Sequence, residues 1–206
     1  MKDAMIPYIP IYQDVIDAHA RIRPHIHYTP VLTSTYLNEL TGAELFFKCE
    51  NFQKAGAFKV RGACNAVFDL SDETAAKGVA THSSGNHALS LSYAAGRRAI
   101  PCTVVMPRTA PEAKKAAVRG YGGVIVECEP SITSREAVCA EVVAATGAEF
   151  VHPYNDPRVI AGQGTCSREF MDQIGDLDMM VAPIGGGGMI SGTCLTLSNI
   201  APDVQI

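Results

Sequence analysis

The chain has 206 residues, 47% hydrophobic and 18% charged, enough apolar material for one large domain or two small ones with a substantial core. Its formal net charge is −4 and it has no block of basic residues, which argues against a nucleic-acid surface. No apolar run is long enough to span a membrane, and seven cysteines without a C-x-x-C pair fit free thiols in a reducing cytoplasm.

The N-terminal stretch "MKDAMIPYIPIYQD" is broken by Pro7, Pro10 and Asp14 and does not read as a signal peptide. From there strand-like and helix-like segments alternate. "ELFFKCE" (44–50) reads as a strand and "KVRGACNAVFDL" (59–70) as a helix. "GVATHS" (78–83) is a short strand, followed by a helix in "GNHALSLSYAAG" (85–96). "PCTVVMP" (101–107) is a strand, and "PEAKKAAVRGYG" (111–122) is a helix opened by Pro111. "GVIVEC" (123–128) is a strand, and "SREAVCAEVVAATG" (134–147) is a helix closed by Gly147. "EFVHPY" (149–154) is a strand before the long helix of 156–174. "MMVAPI" (179–184) is a strand before a helix over 188–200. This alternation predicts an α/β protein with parallel-rich sheets, whose Val/Ile-rich strands are covered on both faces. Another strand is expected to begin at "DVQI", so the chain reads as the N-terminal piece of a longer enzyme, lacking the C-terminal part of its larger domain.

Ligands of open α/β sheets bind beyond the carboxyl ends of the strands, where helix N-termini point. Three unusual stretches fall at such places. In "IGGGGMISG" (184–192) a strand runs into Gly185, Gly186, Gly187 and Gly188 and then a helix, so successive N–H groups can converge on a phosphate. It has no Walker A lysine and fits neither register of the dinucleotide fingerprint. In "THSSGNHALS" (81–90), Ser83, Ser84, Gly85, Asn86 and His87 form a donor-rich strand-to-helix turn suited to a carboxylate, although a serine N-cap would be the ordinary use of such a turn. In "AGAFKVRGACNAVF" (55–68), Lys59 opens a helix beside Phe58. Desolvation and the helix dipole both disfavour its ammonium form, and a neutral amine can form a Schiff base with an aldehyde. Lys48 and Lys54, by contrast, read as solvated. The pairs His25-x-His27 and His82/His87 lack a cysteine or carboxylate at ligand spacing, so ordinary surface or hydrogen-bonded histidines are expected, not a metal site. A lysine, a phosphate cradle and a carboxylate site together suit pyridoxal phosphate and an amino-acid substrate.

"FQKAGAFKVRGA", "HSSGNHA", "AGQGT" and "GGGGMISG" resemble, in order, the motifs of fold-type II pyridoxal-phosphate enzymes, in particular the serine racemase and serine/threonine dehydratase branch. The resemblance runs from about Ile11 to the end. It implies that Lys59 bonds the cofactor aldehyde, that Gly185 to Gly188 with Met189 hold the phosphate, and that Asn86 contacts the pyridine hydroxyl. Ser83, Ser84 and His87 would line the substrate carboxylate site, with Ser84 facing the cofactor opposite Lys59. The resemblance also implies two domains, a large one from 1–70 and 154–206 and a small one from 71–153, with the cofactor between them, and a homodimer. The partner of the pyridine nitrogen, and residues for a divalent metal (Mg or Ca), would lie beyond Ile206.

The activity expected is pyridoxal-phosphate-dependent dehydration (ammonia-lyase chemistry) of L-serine- or L-threonine-type 3-hydroxy amino acids to 2-oxo acids and ammonia. Serine racemisation and threo-3-hydroxyaspartate elimination are alternatives. Ser84 tilts toward racemase capability, because many dehydratases of the family carry alanine there. A reading of another class is a non-catalytic cofactor- or amino-acid-binding protein. The partners expected are small molecules, with no nucleic acid and no membrane.

Overall fold

The computed structural model describes residues 8–206. The sequence reading of residues 1–7, including the break at Pro7, lies outside the described residues. The elements in chain order are α1 (Tyr12–Ile22), β1 (Val31–Thr33), α2 (Thr35–Thr41), β2 (Phe46–Lys48), α3 (Lys59–Phe68), α4 (Asp72–Ala76), β3 (Val79–His82) and α5 (Asn86–Arg98). They continue with β4 (Cys102–Pro107), α6 (Glu112–Gly120), β5 (Val124–Cys128), α7 (Ile132–Thr146), β6 (Glu149–Phe150), α8 (Pro157–Ile174) and α9 (Gly188–Ile200). No helix among the described residues is long and apolar enough to cross a membrane.

Four strands form a parallel sheet in the order β5-β4-β3-β6, and β1 pairs antiparallel with β2. The sheet is buried on both faces, and the period-2 alternation of its strands sorts the side chains. Val79, Val104 and Met106 join Val60, Ala63, Leu91 and Val118 in one core beneath α3, α5 and α6. Ala80 and Val105 point the other way, into a second core with Cys139 of α7. The α/β class and the parallel sheet therefore match the sequence reading.

Two predicted strands differ. The segment 149–154 is strand only over Glu149–Phe150, because the chain turns after Val151 and Pro153 has no N–H to donate. The segment 179–184 is not a strand. Among the described residues its ladder partner is Gln205 alone, through one parallel bridge to Met179, and Val181 stands 86% exposed. A hydrophobic run cannot hold a strand without neighbours that accept and donate along it. The sequence reading also missed α1, although Val15, Ala18 and Ile22 mark its apolar face. It missed β1 and α2 as well, although Ser34 caps α2 and Gly42 closes it.

Two arrangements hold the helices in place. The first is backbone contact through glycine. A Cβ on Gly162 of α8 would lie 2.6 Å from the Cα of Gly62 in α3, and a Cβ on Gly192 of α9 would lie 2.5 Å from the nitrogen of Gly164 in α8. The "AGQGT" stretch thus brings α8 against α3 on one side and α9 on the other. Between the glycines, Gln163 Oε1 accepts the N–H of Gly62 at 3.2 Å, and Thr196 Oγ1 donates to the carbonyl of Gly164 at 3.0 Å.

The second is a buried ionic cluster. Arg61 is fully buried, with Nη2 2.7 Å from Glu50 Oε1 and Nη1 3.0 Å from Glu169 Oε2. Lys48 pairs with the other side of Glu169 and donates to Gln173 Oε1 at 2.6 Å. The N–H of Thr29 reaches Glu169 Oε1 at 3.1 Å. Lys48 is therefore not solvated as the sequence reading expected: its side chain is 6% exposed. The carboxylate on α8, 121 residues away, could not be foreseen from its neighbours in sequence. Two cations and two carboxylates balance, so β2, α3 and α8 are joined without an unpaired buried charge.

Gly162→Ala should destabilise the chain by about 1–3 kcal/mol, because a methyl group would be forced into backbone. Arg61→Met should cost about 3–5 kcal/mol, because Glu50 loses its cation and buried Glu169 one of its two. Urea unfolding followed by circular dichroism checks both, and a change within error in either variant would contradict the corresponding account. Burial pushes the Glu169 carboxyl up, but hydrogen bonds and charge from Arg61 and Lys48 outweigh it and hold the group below the ordinary 4.5. A depressed carboxylate stabilises the fold fully above its unfolded value and loses that contribution as pH falls through the folded one. Stability measured from pH 7 downward should therefore be flat for this cluster until about pH 4.5 and decline below it, and the decline should be shallower in Glu169→Gln.

Candidate active site

Lys59 is the first residue of α3. The chain reaches it through a tight reversal in which Ala55 and Gly56 both adopt left-handed conformations, with φ of 57° and 71°. The side chain turns inward: Nζ donates to the carbonyl of Pro153 at 2.8 Å and lies 5.4 Å from the centre of the Phe58 ring. Burial pushes its pKa down from 10.5, the desolvation that the sequence reading expected beside Phe58.

His87 lies in the first turn of the facing helix, α5, and is 2% exposed. Its Nε2 is 3.2 Å from the carbonyl of Val151, which also accepts from Thr81 Oγ1 at 2.9 Å. A carbonyl only accepts, so Nε2 carries the proton and Nδ1 is left bare, without a partner among the described residues. Burial and then the nearby charge of Lys59 push this imidazole down to about 3, so it is neutral at ordinary pH. Its ring is committed to Val151, and any donor it offers a carboxylate comes from its backbone N–H.

The β3–α5 turn is not a serine cap. The capping position is Gly85, with no side-chain hydrogen bond. Ser83 Oγ accepts the N–H of Gly85 at 3.3 Å, and its own N–H donates to the carbonyl of Val105 at 3.2 Å. The ordinary use of "HSSGN" is thus removed, and the hydroxyl of the half-buried Ser84 is not spent on the helix end. The first N–H groups of α5, at Asn86, His87 and Ala88, have no acceptor inside the helix. Asn86 is exposed at the opening of the helix, where a ligand above the turn can reach it.

The glycine stretch begins after Ile184, and α9 opens at Gly188 with Gly187 at its cap, left-handed at φ 92°. No side chain among the described residues caps this helix, so its first N–H groups and its dipole face outward. Tyr154 forms one wall. A Cβ on Gly186 would strike Cδ1 of the Tyr154 ring, and one on Gly188 would lie 3.0 Å from the Tyr154 carbonyl oxygen. Met189 and Phe58 line one cavity of about 340 Å³ with Cys166 and Met180, between the starts of α3 and α9.

The lysine stretch and the glycine stretch therefore meet through a further one. The turn from His152 to Asn155 gives Lys59 its carbonyl acceptor at Pro153 and packs Tyr154 on the glycines. "HPYND" departs from the family pattern near the active site, but the sequence reading gave none of its residues a role. Its signal was a proline closing a strand just before an Asp-capped helix, with Asp156 Oδ1 accepting the N–H of Arg158 at 2.8 Å. Among the described residues no group of three or more His, Cys, Asp or Glu side chains is placed to hold a metal ion.

Comparison with known proteins bears on the family. The chain is 71% identical over 199 residues to the beta-hydroxyaspartate dehydratase of Paracoccus denitrificans (strain Pd 1222), a match covering 97% of this chain and 63% of that one. The structure of maize serine racemase superimposes with a TM-score of 0.94 at 48% identity, covering 96% of this chain and 60% of that one. The processed form of threonine deaminase isoform 2 from Solanum lycopersicum superimposes with a TM-score of 0.89 at 31% identity, covering 97% and 57%. The chain thus spans less than two thirds of the length of each of these relatives. The family described as "Pyridoxal-phosphate dependent enzyme" matches residues 22–206. With its half-buried helix-start lysine, its glycine-lined helix cap and this match, the chain belongs to the pyridoxal-phosphate dependent enzymes.

Proposed function

We propose that the protein is a dehydratase that removes water from a 3-hydroxy amino acid and releases a 2-oxo acid and ammonia, with 3-hydroxyaspartate as its preferred substrate. The observation that carries the reaction class is the inward, partly desolvated Lys59, joined through the 152–155 turn to the glycine cap of α9. The substrate rests on the 71% identity to a beta-hydroxyaspartate dehydratase. L-Serine and L-threonine, the substrates first suggested by the motifs, are the alternatives to be tested beside it.

The residues present fit pyridoxal phosphate. A phosphate needs converging N–H donors with no side chain in the way; Gly185 to Gly188 and Met189 supply them, at a place where a Cβ on Gly186 would strike Tyr154. An aldehyde needs an uncharged amine, and the surroundings of Lys59 favour one. The bound cofactor supplies an aldehyde that bonds an amine and a ring that takes up the electron pair released at the substrate Cα.

This chain's own residues do the rest. The free N–H groups at the start of α5, with Ser83 and Ser84, bind the substrate carboxylate, and Asn86 orients the pyridine hydroxyl. Lys59 takes the proton from Cα, and the 3-hydroxyl then leaves with a proton as water. The enamine that remains is hydrolysed to the 2-oxo acid and ammonia. Burial lowers the pKa of Lys59, and His87 beside it is buried and neutral at ordinary pH.

A racemase reading has its own support in Ser84. Its hydroxyl is not used as a cap, so it is free to deliver a proton to the Cα face opposite Lys59. The proposed division into a small domain of 71–153 and a large domain on either side is supported by β3 to β6 all falling within the former. Six buried cysteines in no disulfide support the cytoplasm as the compartment. A homodimer is the proposed assembly.

Reduction of the cofactor complex with borohydride should fix the cofactor to Lys59, and Lys59→Ala should lose that link and nearly all turnover. Labelling of another lysine would sink the assignment. Gly187→Val should weaken cofactor binding by about tenfold or more while the far-ultraviolet spectrum stays native, because an L side chain is strained at φ 92° beside the phosphate. Incubation with threo-3-hydroxyaspartate, L-serine and L-threonine, with 2-oxo acid, ammonia and D-isomer followed together, tests the reaction. Release from none of them, with cofactor bound, would favour a binding protein. Ser84→Ala should remove D-isomer formation and leave dehydration largely intact.

A further inference from the structure

His152 stands in the turn that joins the parts of the site and belongs to none of the motifs. Its Nδ1 lies 2.9 Å from the backbone nitrogen of Asn155 and 3.3 Å from that of Tyr154. Both are donors, so Nδ1 holds a lone pair and the ring proton is on Nε2. One side-chain atom thus accepts the N–H groups two and three residues ahead. Asparagine and aspartate side chains fold turns in this way, here with an imidazole in their place. The ring is held edge-on against Tyr154, with centroids 4.5 Å apart, and against Phe150 at 5.9 Å.

The fold gives this small turn two loads. Its carbonyl at Pro153 accepts from Lys59 Nζ at 2.8 Å, and its Tyr154 presses ring and backbone against Gly186 and Gly188. We propose that His152 is a positioning residue of the site: its unprotonated Nδ1, by holding the N–H groups of Tyr154 and Asn155, fixes the turn that sets the lysine against one end of the cofactor and the glycine wall against the other. This rests on the function proposed above, because Lys59 and the glycine cap are its reference points.

The arrangement exists in one protonation state only. A proton on Nδ1 would turn an acceptor into a donor facing two donors. Burial and then the neighbouring His82 push His152 below the ordinary 6.5, and Lys59 does the same. Asp156 and Glu136 pull it up. The groups facing it are His82 from β3, Lys59 from α3, His87 from α5, Glu136 from α7 and Asp156 at the cap of α8. The turn is thus fully formed above about pH 6.5 and lost as pH falls through the lowered value of His152.

The test compares His152→Asn, which keeps an acceptor at the same reach, with His152→Leu, which fills similar space and accepts nothing. Three quantities are read: amide hydrogen exchange at Tyr154 and Asn155, pyridoxal phosphate affinity by spectral titration, and the lysine labelled by borohydride. In His152→Leu at about pH 8, exchange at both amides should quicken and cofactor affinity should fall, each about tenfold, the factor that loss of about 1.4 kcal/mol of hydrogen bonding gives. His152→Asn should stay within about threefold of wild type. From about pH 6.5 downward, through the lowered value of His152, the wild type should lose affinity more steeply than His152→Asn, which has no ring to protonate. If wild type is not labelled at Lys59, the proposed function fails and this inference with it. If Lys59 is labelled and His152→Leu matches wild type, or His152→Asn falls as far as His152→Leu, or the pH slopes of wild type and His152→Asn coincide, the inference alone is overturned.

Discussion

The approach of α8 to α3 and α9 is a constraint on which the rest of this structure depends. Helices whose backbones touch cannot slide, because the ridges and grooves that would permit another crossing have been removed. At Gly162 and Gly192 the space for even one methyl group is already taken by a neighbouring backbone. The first turn of α3 carries Lys59 and the first turn of α9 follows the glycine cap. Fixing both helices to α8 therefore fixes the two ends of the proposed cofactor site relative to each other, although Lys59 and Gly187 are far apart in sequence.

The ionic cluster around Arg61 serves the same end. Arg61 is two residues from Lys59, and it is clamped between Glu50 before α3 and Glu169 on α8. A buried set of charges is a poor source of stability compared with apolar packing, but it tolerates few alternative geometries. Here it pins the rotation of α3, and so the direction in which Lys59 points. Apolar packing alone would leave that rotation less sharply defined, since α3 is buried almost all round.

Function then turns on the side chains and backbone groups that this frame leaves free. The N–H groups at the starts of α5 and α9 have no helical acceptors, and the amine of Lys59 is drawn toward its neutral form. The turn at 152–155 touches both the lysine and the glycine wall. It is held by a side-chain nitrogen and by Asp156 at the helix that follows. In the function proposed, an amine and a phosphate cradle stand at a set separation, and that separation passes through one short turn.

The sequence by itself determined a good deal. Apolar runs with turn residues between them specified a parallel α/β sheet. Four glycines between an apolar run and a helix pointed to a candidate anion site, and a lysine behind a tight turn to a candidate reactive amine. These are local properties, set by backbone sterics and by the nearest few side chains. The family itself was legible in four short motifs. What the tertiary structure alone decided was non-local. Whether 179–184 becomes a strand depends on ladder partners that lie elsewhere. Lys48 looked solvated until α8 brought Glu169 to it across 121 residues. Ser84 was freed from capping because Gly85 took the cap position. "AGQGT" and "HPYND" acquired their roles only when the segments they touch were folded against them. Burial, charge pairing and backbone contact between distant segments are properties of the packed chain, and no window of sequence contains them.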